Sequence, residues 1–325
     1  MRAMRAVAFN GYSDLKLVEL AKPKRTEGRV LVRITAAGVT PLDHTILSGG
    51  LPRAKAPLIL GNEGAGVVED PGDSSFPVGA RVMFFGAYGV SEDGTYREWI
   101  TAKPEDLSLI PENLDDARAG GAPVAYLTAQ ISLQQAGFAP GKTVLAPAIG
   151  GAVGNAVTQL ARAQGAKFAI STTTSTLKAE HAKALGYENV IDLSNEPLAE
   201  GVRRITGGQG VDIVIDSVGG VWTGEALSTL ALNGVLTTLG YSAGHTATIK
   251  LTDLIWKRAR MSGFSLFAQP PATIAEAWNT IVPLFTSQRV KPVLDRTYPL
   301  EEAASALRHL IEDRPFGKVV LSPQT

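Results

Sequence analysis

The sequence predicts an α/β fold, with a doubly wound parallel sheet beside a β-rich domain. Three observations predict it. Short strands broken by Gly and Pro fill roughly the first 115 residues. From about residue 120 onward strands and helices alternate. Within that alternation, "VLAPAIGGAVGNAVTQLARAQG" (Val144–Gly165) has the look of a strand, a tight turn and a helix, and its turn has the small residues that a phosphate-binding loop needs.

The leading strands are "RAVAF", "LKLVEL", "RVLVRITAAGV", "GAGVVE", "ARVMFFG" and "YREWITA". Their alternation suits an irregular β-rich domain. The run "GGAPVAYLTAQISLQQAG" (Gly120–Gly137) is helical and closed by Gly137. Next come "KTVLAPA", a helix over Val153–Gln164, "AKFAIST", a helix over Thr176–Leu185, "NVIDL" and a helix near Leu198–Thr206. "VDIVIDSV", a helix near Glu225–Leu230 and "GVLTTLG" complete the alternating part. Such alternation implies parallel strands joined by right-handed crossovers. Two helices, "ATIAEAWNTIVPLFTSQ" and "LEEAASALRHLIED", and the strand "GKVVLS" end the chain and are expected to return to the first domain. Glu301 and Glu302 early in the last helix, with Arg308 and His309 late, match the helix dipole.

With 325 residues the chain has room for two domains and a sizeable core. Thirty-one basic residues balance thirty-one acidic ones, so no nucleic-acid partner is expected. The absence of cysteine removes disulfides, thiol nucleophiles and cysteine-ligated zinc. The N-terminus has no long apolar core of a secretory signal, and runs such as "VDIVID" are too short to span a bilayer. A cytoplasmic protein with no membrane partner is expected.

The turn reads Ala148-x-x-Gly151-x-x-Gly154. Gly151 would let a pyrophosphate approach the backbone, and Gly154 would let the helix pack closely on its strand. Ala148 in the place of the first glycine is a modest change if its φ is negative. Val153, Val157, Leu160 and Ala161 give the helix an apolar face. An NAD site usually carries a carboxylate at the end of the next strand, to bond the ribose 2′-hydroxyl. Here that end is "STTTSTLK" (Ser171–Lys178). Its hydroxyls and Lys178 suit a 2′-phosphate instead, which favours NADPH.

With these residues read, the chain resembles the medium-chain dehydrogenase/reductase superfamily, in its zinc-free quinone oxidoreductase (zeta-crystallin-like) branch. The landmarks run in order: "AAGVTPLDHTILSGGLP", "PLILGNEGAGVVE", "VGARVMF", "YLTAQISL", the glycine turn, "GVDIVIDSVGG", "LNGVLTTLGYSAG" and "MSGFSL". The resemblance implies a GroES-like catalytic domain made of residues 1–118 and 263–325, with a Rossmann NADPH-binding domain, residues 119–262, inserted between. It also implies a homodimer formed by pairing edge strands, for which "TATIKLTDLI" is a candidate. Zinc relatives carry a cysteine where this chain has Thr40 and a histidine where it has Asn62. Neither replacement is a zinc donor of the usual kind, so no metal is expected.

For the cofactor, the resemblance implies Ala148, Gly150, Gly151, Ala152, Val153 and Gly154 at the diphosphate, and Ser171, Thr172, Thr173 and Lys178 at the 2′-phosphate. It implies Thr128, Gly240, Tyr241 and Ser242 beside the dinucleotide, and Ser217 and Val218 on its adenosine or ribose side. Phe264 and Ser265 would lie near the nicotinamide. The substrate would meet Thr40, His44, Thr45 and Tyr88, with His44 able to give a proton to an enolate or quinone oxygen. Asp43 and Glu63 read as structural carboxylates, His181, His245 and His309 as surface residues without companions, and the four tryptophans as packing. The family's Asn and Tyr in the substrate motif are Thr40 and Thr45, and a tyrosine that grips the 2′-phosphate is Leu193. These departures leave two functions open besides the NADPH-dependent reduction of a quinone or an α,β-unsaturated carbonyl. One is a non-catalytic nucleotide-binding protein, crystallin-like or RNA-binding; the other, ranked last, is an alcohol dehydrogenase.

Overall fold

The computed structural model of the chain describes residues 1–323. It divides into two compact units. The first takes Met1–Val124, Pro270–Thr286 and the chain from Pro292 onward. The second takes Ala125–Gln269 and Ser287–Lys291.

In the first unit, β1 (Arg2–Ala6) lies antiparallel between β2 (Leu15–Glu19) and β4 (Leu58–Ile59). A larger sheet is built on β3 (Val30–Gly38), which is buried along most of its length. β5 (Glu63–Asp70), β6 (Arg81–Phe85), β7 (Trp99–Ala102) and β8 (Leu107–Leu109) join it, as do the C-terminal β15 (Leu294–Pro299) and β16 (Lys318–Ser322). The order is β15-β16-β3-β5-β6-β8, with β7 also paired to β3. Near-continuous apolar burial explains why β3 is central: both its faces are covered. The helices of this unit are α1 (Pro41–Leu47), α2 (Asp116–Gly120), α9 (Pro271–Thr286) and α10 (Ala303–Arg308).

Glu63 on β5 is fully buried, and its Oε1 lies 2.5 Å from Lys318 Nζ on β16. Its Oε2 accepts from the Val124 amide at 2.7 Å. A Cβ on Gly38, between the two strands, would stand 2.3 Å from Glu63 Oε1, so only glycine leaves room for the carboxylate. A buried pair of this kind is costly to break, because the survivor is left as an unpaired charge worth roughly 3–5 kcal/mol. Glu63 thereby holds the first turn of α3 (Pro123–Gln135).

The second unit is a six-stranded sheet with every pairing parallel. Its strands are β9 (Thr143–Ala146), β10 (Phe168–Thr173), β11 (Val190–Asp192), β12 (Val211–Asp216), β13 (Leu230–Thr238) and β14 (Arg260–Gly263). Their order, β11-β10-β9-β12-β13-β14, is the 3-2-1-4-5-6 order of doubly wound dinucleotide folds. The connecting helices are α4 (Ala152–Ala163), α5 (Thr176–Ala184), α6 (Leu198–Thr206), α7 (Val221–Ser228) and α8 (Leu251–Lys257). The core of this unit gathers Leu145, Ile170, Ile191, Val214 and Leu236 from the strands with Leu198 and Leu227 from the helices.

Three expectations are corrected here. The helix expected near Glu225–Leu230 starts at Val221 and ends at Ser228, with Leu230 already in β13. It starts early because Gly219 and Gly220, at φ 75° and 62°, turn the chain directly after β12. "TATIKLTDLI" is no edge strand: its second half is α8, and the exposed β14 forms that edge of the sheet. Trp256 does not pack; it is 77% exposed on α8 beside Ile255, which is 67% exposed. Among the described residues no helix is long and apolar enough to cross a membrane.

His309 is a further correction, for it has companions. Its Nδ1 lies 2.7 Å from Asp313 Oδ2 and its Nε2 2.9 Å from Asp295 Oδ2. Residues His309–Asp313 form a π-helical turn that carries Asp313 to one side of the ring, and β15 supplies Asp295 on the other. The two carboxylates, Asp313 above all, raise the imidazole pKa above its ordinary 6.5. The imidazolium therefore stabilises the fold fully below the unfolded value, and that contribution is lost as pH rises through the raised folded value. Urea unfolding should show His309→Asn costing clearly more at about pH 6 than at about pH 9; an equal cost at both would exclude a charged pair.

Candidate active site

The substrate-side candidates stand on α1 and its entrance. Pro41 opens the helix, and Thr40 precedes it in an extended conformation. The Thr40 amide and hydroxyl both donate to Asp43 Oδ2 at 2.8 Å. Tyr96 Oη donates to the same oxygen at 3.1 Å, and the Gly61 amide donates to Asp43 Oδ1 at 2.9 Å. Burial raises the Asp43 pKa, and these four hydrogen bonds oppose the rise. Burial and the Asp43 carboxyl push the Tyr96 phenol well up. The whole cluster is buried, with Thr40 2% and Asp43 1% exposed. Asp43 thus ties the start of α1 to the loop that leads into β5.

The three candidates differ in what they can offer. The Thr40 proton is committed to Asp43, so its hydroxyl has only acceptor capacity left. Thr45 donates to the Pro41 carbonyl at 3.1 Å, one turn back along the helix. His44 is half-buried, with its ring 5.7 Å from that of Tyr12, and its nitrogens have no hydrogen-bond partner among the described residues. It is the one of the three with an uncommitted proton site. Tyr88 is withdrawn from the substrate side: it is 1% exposed, and its hydroxyl donates to Asp106 Oδ2 at 2.5 Å while accepting from the Lys103 amide at 3.0 Å. Asn62 is 2% exposed, with an Oδ1 that meets no donor.

The cofactor-side candidates gather at the carboxyl ends of the parallel strands. Ala148, Gly150, Gly151, Ala152, Val153 and Gly154 follow β9 and open α4. Ser171, Thr172 and Thr173 end β10, and Lys178 lies in the first turn of α5. Ser217 and Val218 follow β12, Gly240, Tyr241 and Ser242 follow β13, and Phe264 and Ser265 follow β14. Thr128 is buried on α3. Ligands of open α/β sheets bind outside these strand ends, where the strand order reverses.

The turn itself is held tightly. A Cβ on Gly154 would stand 2.2 Å from the Pro147 carbonyl oxygen and 2.5 Å from that of Ala148, so α4 can approach its strand only with glycine there. A Cβ on Gly151 would meet the Ala148 oxygen at 3.3 Å, a tight contact, so the loop is close-packed at this glycine too. The first amides of α4 have no carbonyl within the helix to bond, so they remain donors for a diphosphate. At Ala148 φ is +66°, so the condition under which alanine would be a modest change for the first glycine is not met. The Ile149 amide bonds the Thr172 carbonyl at 2.8 Å and the Ala148 amide the Thr172 hydroxyl at 3.2 Å, which pins the left-handed conformation.

Sequence reasoning missed Asp216. It is fully buried, its Oδ1 accepts from the Val218 and Gly219 amides at 2.9 Å each, and its Oδ2 accepts from Thr223 at 2.5 Å. The signal was present: an aspartate ending three apolar residues and followed within four by two glycines. A Cβ on Gly240 would stand 2.0 Å from the Ser217 carbonyl oxygen, so the loops after β12 and β13 press together. His245 also has a companion, stacking on Tyr241 with ring centroids 4.8 Å apart.

Comparison with known proteins agrees with this geometry. Residues 26–112 match the family described as alcohol dehydrogenase GroES-like domain, and residues 152–285 the family described as zinc-binding dehydrogenase. The 2-haloacrylate reductase of a Burkholderia species is 33% identical over 318 residues, covering 91% of each chain. The chain belongs to the medium-chain dehydrogenase/reductase superfamily, on its quinone-oxidoreductase-like branch. This is a superfamily of oxidoreductases. Human quinone oxidoreductase is 30% identical over 327 residues, covering 99% of this chain and 97% of its own. A mycobacterial protein solved complexed with NADPH is 29% identical and superposes with a TM-score of 0.87, covering 99% of this chain and all of the other.

Within the superfamily fold, Ala148 and Gly154 impose opposite demands that substitution can separate. The left-handed conformation costs an L-residue roughly 1–2 kcal/mol, of which glycine's extra unfolded-state entropy returns about 0.4–1 kcal/mol. Thermal unfolding of Ala148→Gly should therefore show a gain of up to about 1 kcal/mol. Gly154→Ala should lose about 1–3 kcal/mol; a stable, unchanged Gly154→Ala protein would mean that α4 does not sit this close.

Proposed function

We propose that the chain is an NADPH-dependent, zinc-independent reductase that passes hydride to a quinone or to the β-carbon of an α,β-unsaturated carbonyl. The observation that carries this reading is the glycine turn after β9: Gly154 admits nothing larger, and the amides of Ala152, Val153 and Gly154 open α4 without a carbonyl of the helix to bond. When bound, the reduced nicotinamide supplies the hydride. The chain's own residues bind and orient. The α4 amides take the diphosphate, and Ser171, Thr172, Thr173 and Lys178 take the 2′-phosphate. Ser217, Val218, Gly240, Tyr241 and Ser242 flank the dinucleotide, and Phe264 and Ser265 approach the nicotinamide. The mycobacterial relative complexed with NADPH supports this choice of cofactor.

On the substrate side, His44 delivers a proton to the enolate or quinol oxygen as hydride arrives, and Thr40 and Thr45 border the acceptor. Metal assistance has no place in this reading. The two positions where zinc relatives hold the ion are Thr40 and Asn62, one an alcohol committed to Asp43 and the other an amide. Among the described residues no three or more His, Cys, Asp or Glu are arranged to hold a metal ion. The 2-haloacrylate reductase supports the unsaturated-acid end of the substrate range, and the quinone oxidoreductases the other.

The same reading takes the enzyme as cytoplasmic and homodimeric. β14 is exposed along its whole length, and Leu251, Ile255 and Trp256 on α8 are 66%, 67% and 77% exposed. Such an edge favours a second copy of the sheet over open water.

The test is NADPH oxidation by the purified protein over a panel of quinones, enones and haloacrylates. Turnover with at least one acceptor is expected, and His44→Ala should lower kcat by about a hundredfold. Tight NADPH binding without any turnover would favour a nucleotide-binding protein instead. Sedimentation of the same preparation should give a dimer, and Trp256→Asp should shift it toward monomer.

A further inference from the structure

The end of β11 carries a charge that the cofactor reading does not use. β10 and β11 run parallel in register, with Ser171 beside Val190, Thr172 beside Ile191 and Thr173 beside Asp192. Both strands thus end together, and in this fold class the adenosine ribose lies at the carboxyl end of the second strand in the series, here β10. The Asp192 carboxylate is fixed there by four donors. Oδ2 accepts from Thr176 Oγ1 at 2.8 Å and from Asn195 Nδ2 at 2.6 Å. Oδ1 accepts from the Ser194 amide at 3.0 Å and the Ser194 hydroxyl at 2.5 Å. These bonds, led by that of Ser194, hold the carboxyl below its ordinary range, so it is ionised at neutral pH. All four donors are neutral.

Thr176 is the first residue of α5, and Lys178 is two positions on in the same turn. The Asp192 carboxylate therefore stands at the helix end that carries Lys178. A ribose 2′-hydroxyl is indifferent to that anion, whereas a 2′-phosphate carries a charge of about −1.5 to −2.

We propose that Asp192 is a specificity-determining residue for the dinucleotide, opposing the 2′-phosphate that Lys178 and Thr173 attract and so leaving the site open to NADH as well as NADPH. This rests on the cofactor reading given above. Like charges brought together in a partly solvated site change affinity by roughly threefold to tenfold. The carboxylate's own hydrogen bonds lie within the loop and helix end, so its neutralisation alters the field there without removing a group that touches the adenine.

Calorimetric titration of the full-length protein with 2′,5′-ADP and with 5′-AMP tests the idea. Asp192→Asn should tighten 2′,5′-ADP about threefold to tenfold and leave 5′-AMP within about twofold, and high salt should shrink the gain. An unmoved 2′,5′-ADP affinity, or a parallel change for both probes, would overturn it. If the asparagine variant does not fold, Asp192→Ser gives the same comparison. Wild-type protein that binds neither NADPH nor NADH would overturn the cofactor reading itself. Intact binding of both with an unmoved ratio in the variants overturns this inference alone.

Discussion

The close approach of α4 to β9 is the constraint on which the dinucleotide-binding unit depends. Gly154 meets two carbonyl oxygens where a methyl group would collide, so the helix axis is fixed against the strand end to within a fraction of an ångström. That contact holds the unbonded amides of the first turn at the carboxyl ends of the strands, and it forces the preceding turn to be short. The left-handed Ala148 follows from the same squeeze: the chain must reverse between Pro147 and Gly151 while two hydrogen bonds to Thr172 hold it. Local strain is accepted where the surrounding structure over-determines it.

The substrate-side corner obeys a different logic. Asp43 is a buried carboxylate with four donors, and its work is to join two chain segments, not to exchange protons. It fixes the entrance of α1 to the loop before β5 and consumes the Thr40 hydroxyl. The consequence is a division of labour within one short helix: a rigid, satisfied base and a single uncommitted imidazole on its last turn.

Much of the fold was legible in the sequence. The second unit announced itself because parallel strands covered on both faces carry short apolar runs, and the "IVI" of β12 and the "VLA" of β9 are such runs alternating with helices. The bounds of α6, Leu198–Thr206, follow from its periodicity and the glycine after it. The candidate site was legible where spacing alone carries the chemistry, as in the turn from Ala148 to Gly154. It was illegible where a partner comes from elsewhere in the chain. His309 needs Asp295 from another strand, Tyr88 is sealed by Asp106, and neither pairing leaves a local mark. The conformation of Ala148 was hidden for a related reason, since tertiary hydrogen bonds impose it against the residue's own preference. α8 escaped notice because all its residues are exposed or half-buried, so burial could give it no periodic stripe.

The carboxylate of Glu63 also bears on how the polypeptide emerges from the ribosome. It is completed by an ammonium group on β16, almost at the far end of the chain, and β16 is also the strand that pairs with β3. The first unit therefore stays unfinished, with an unneutralised acid in its nascent core, throughout synthesis of the intervening residues. The second unit is nearly contiguous, from Ala125 to Gln269, and has all its strands before β15 is translated. Vectorial synthesis thus favours maturation of the interior module first, with the amino-terminal sheet closing only when the last strand arrives.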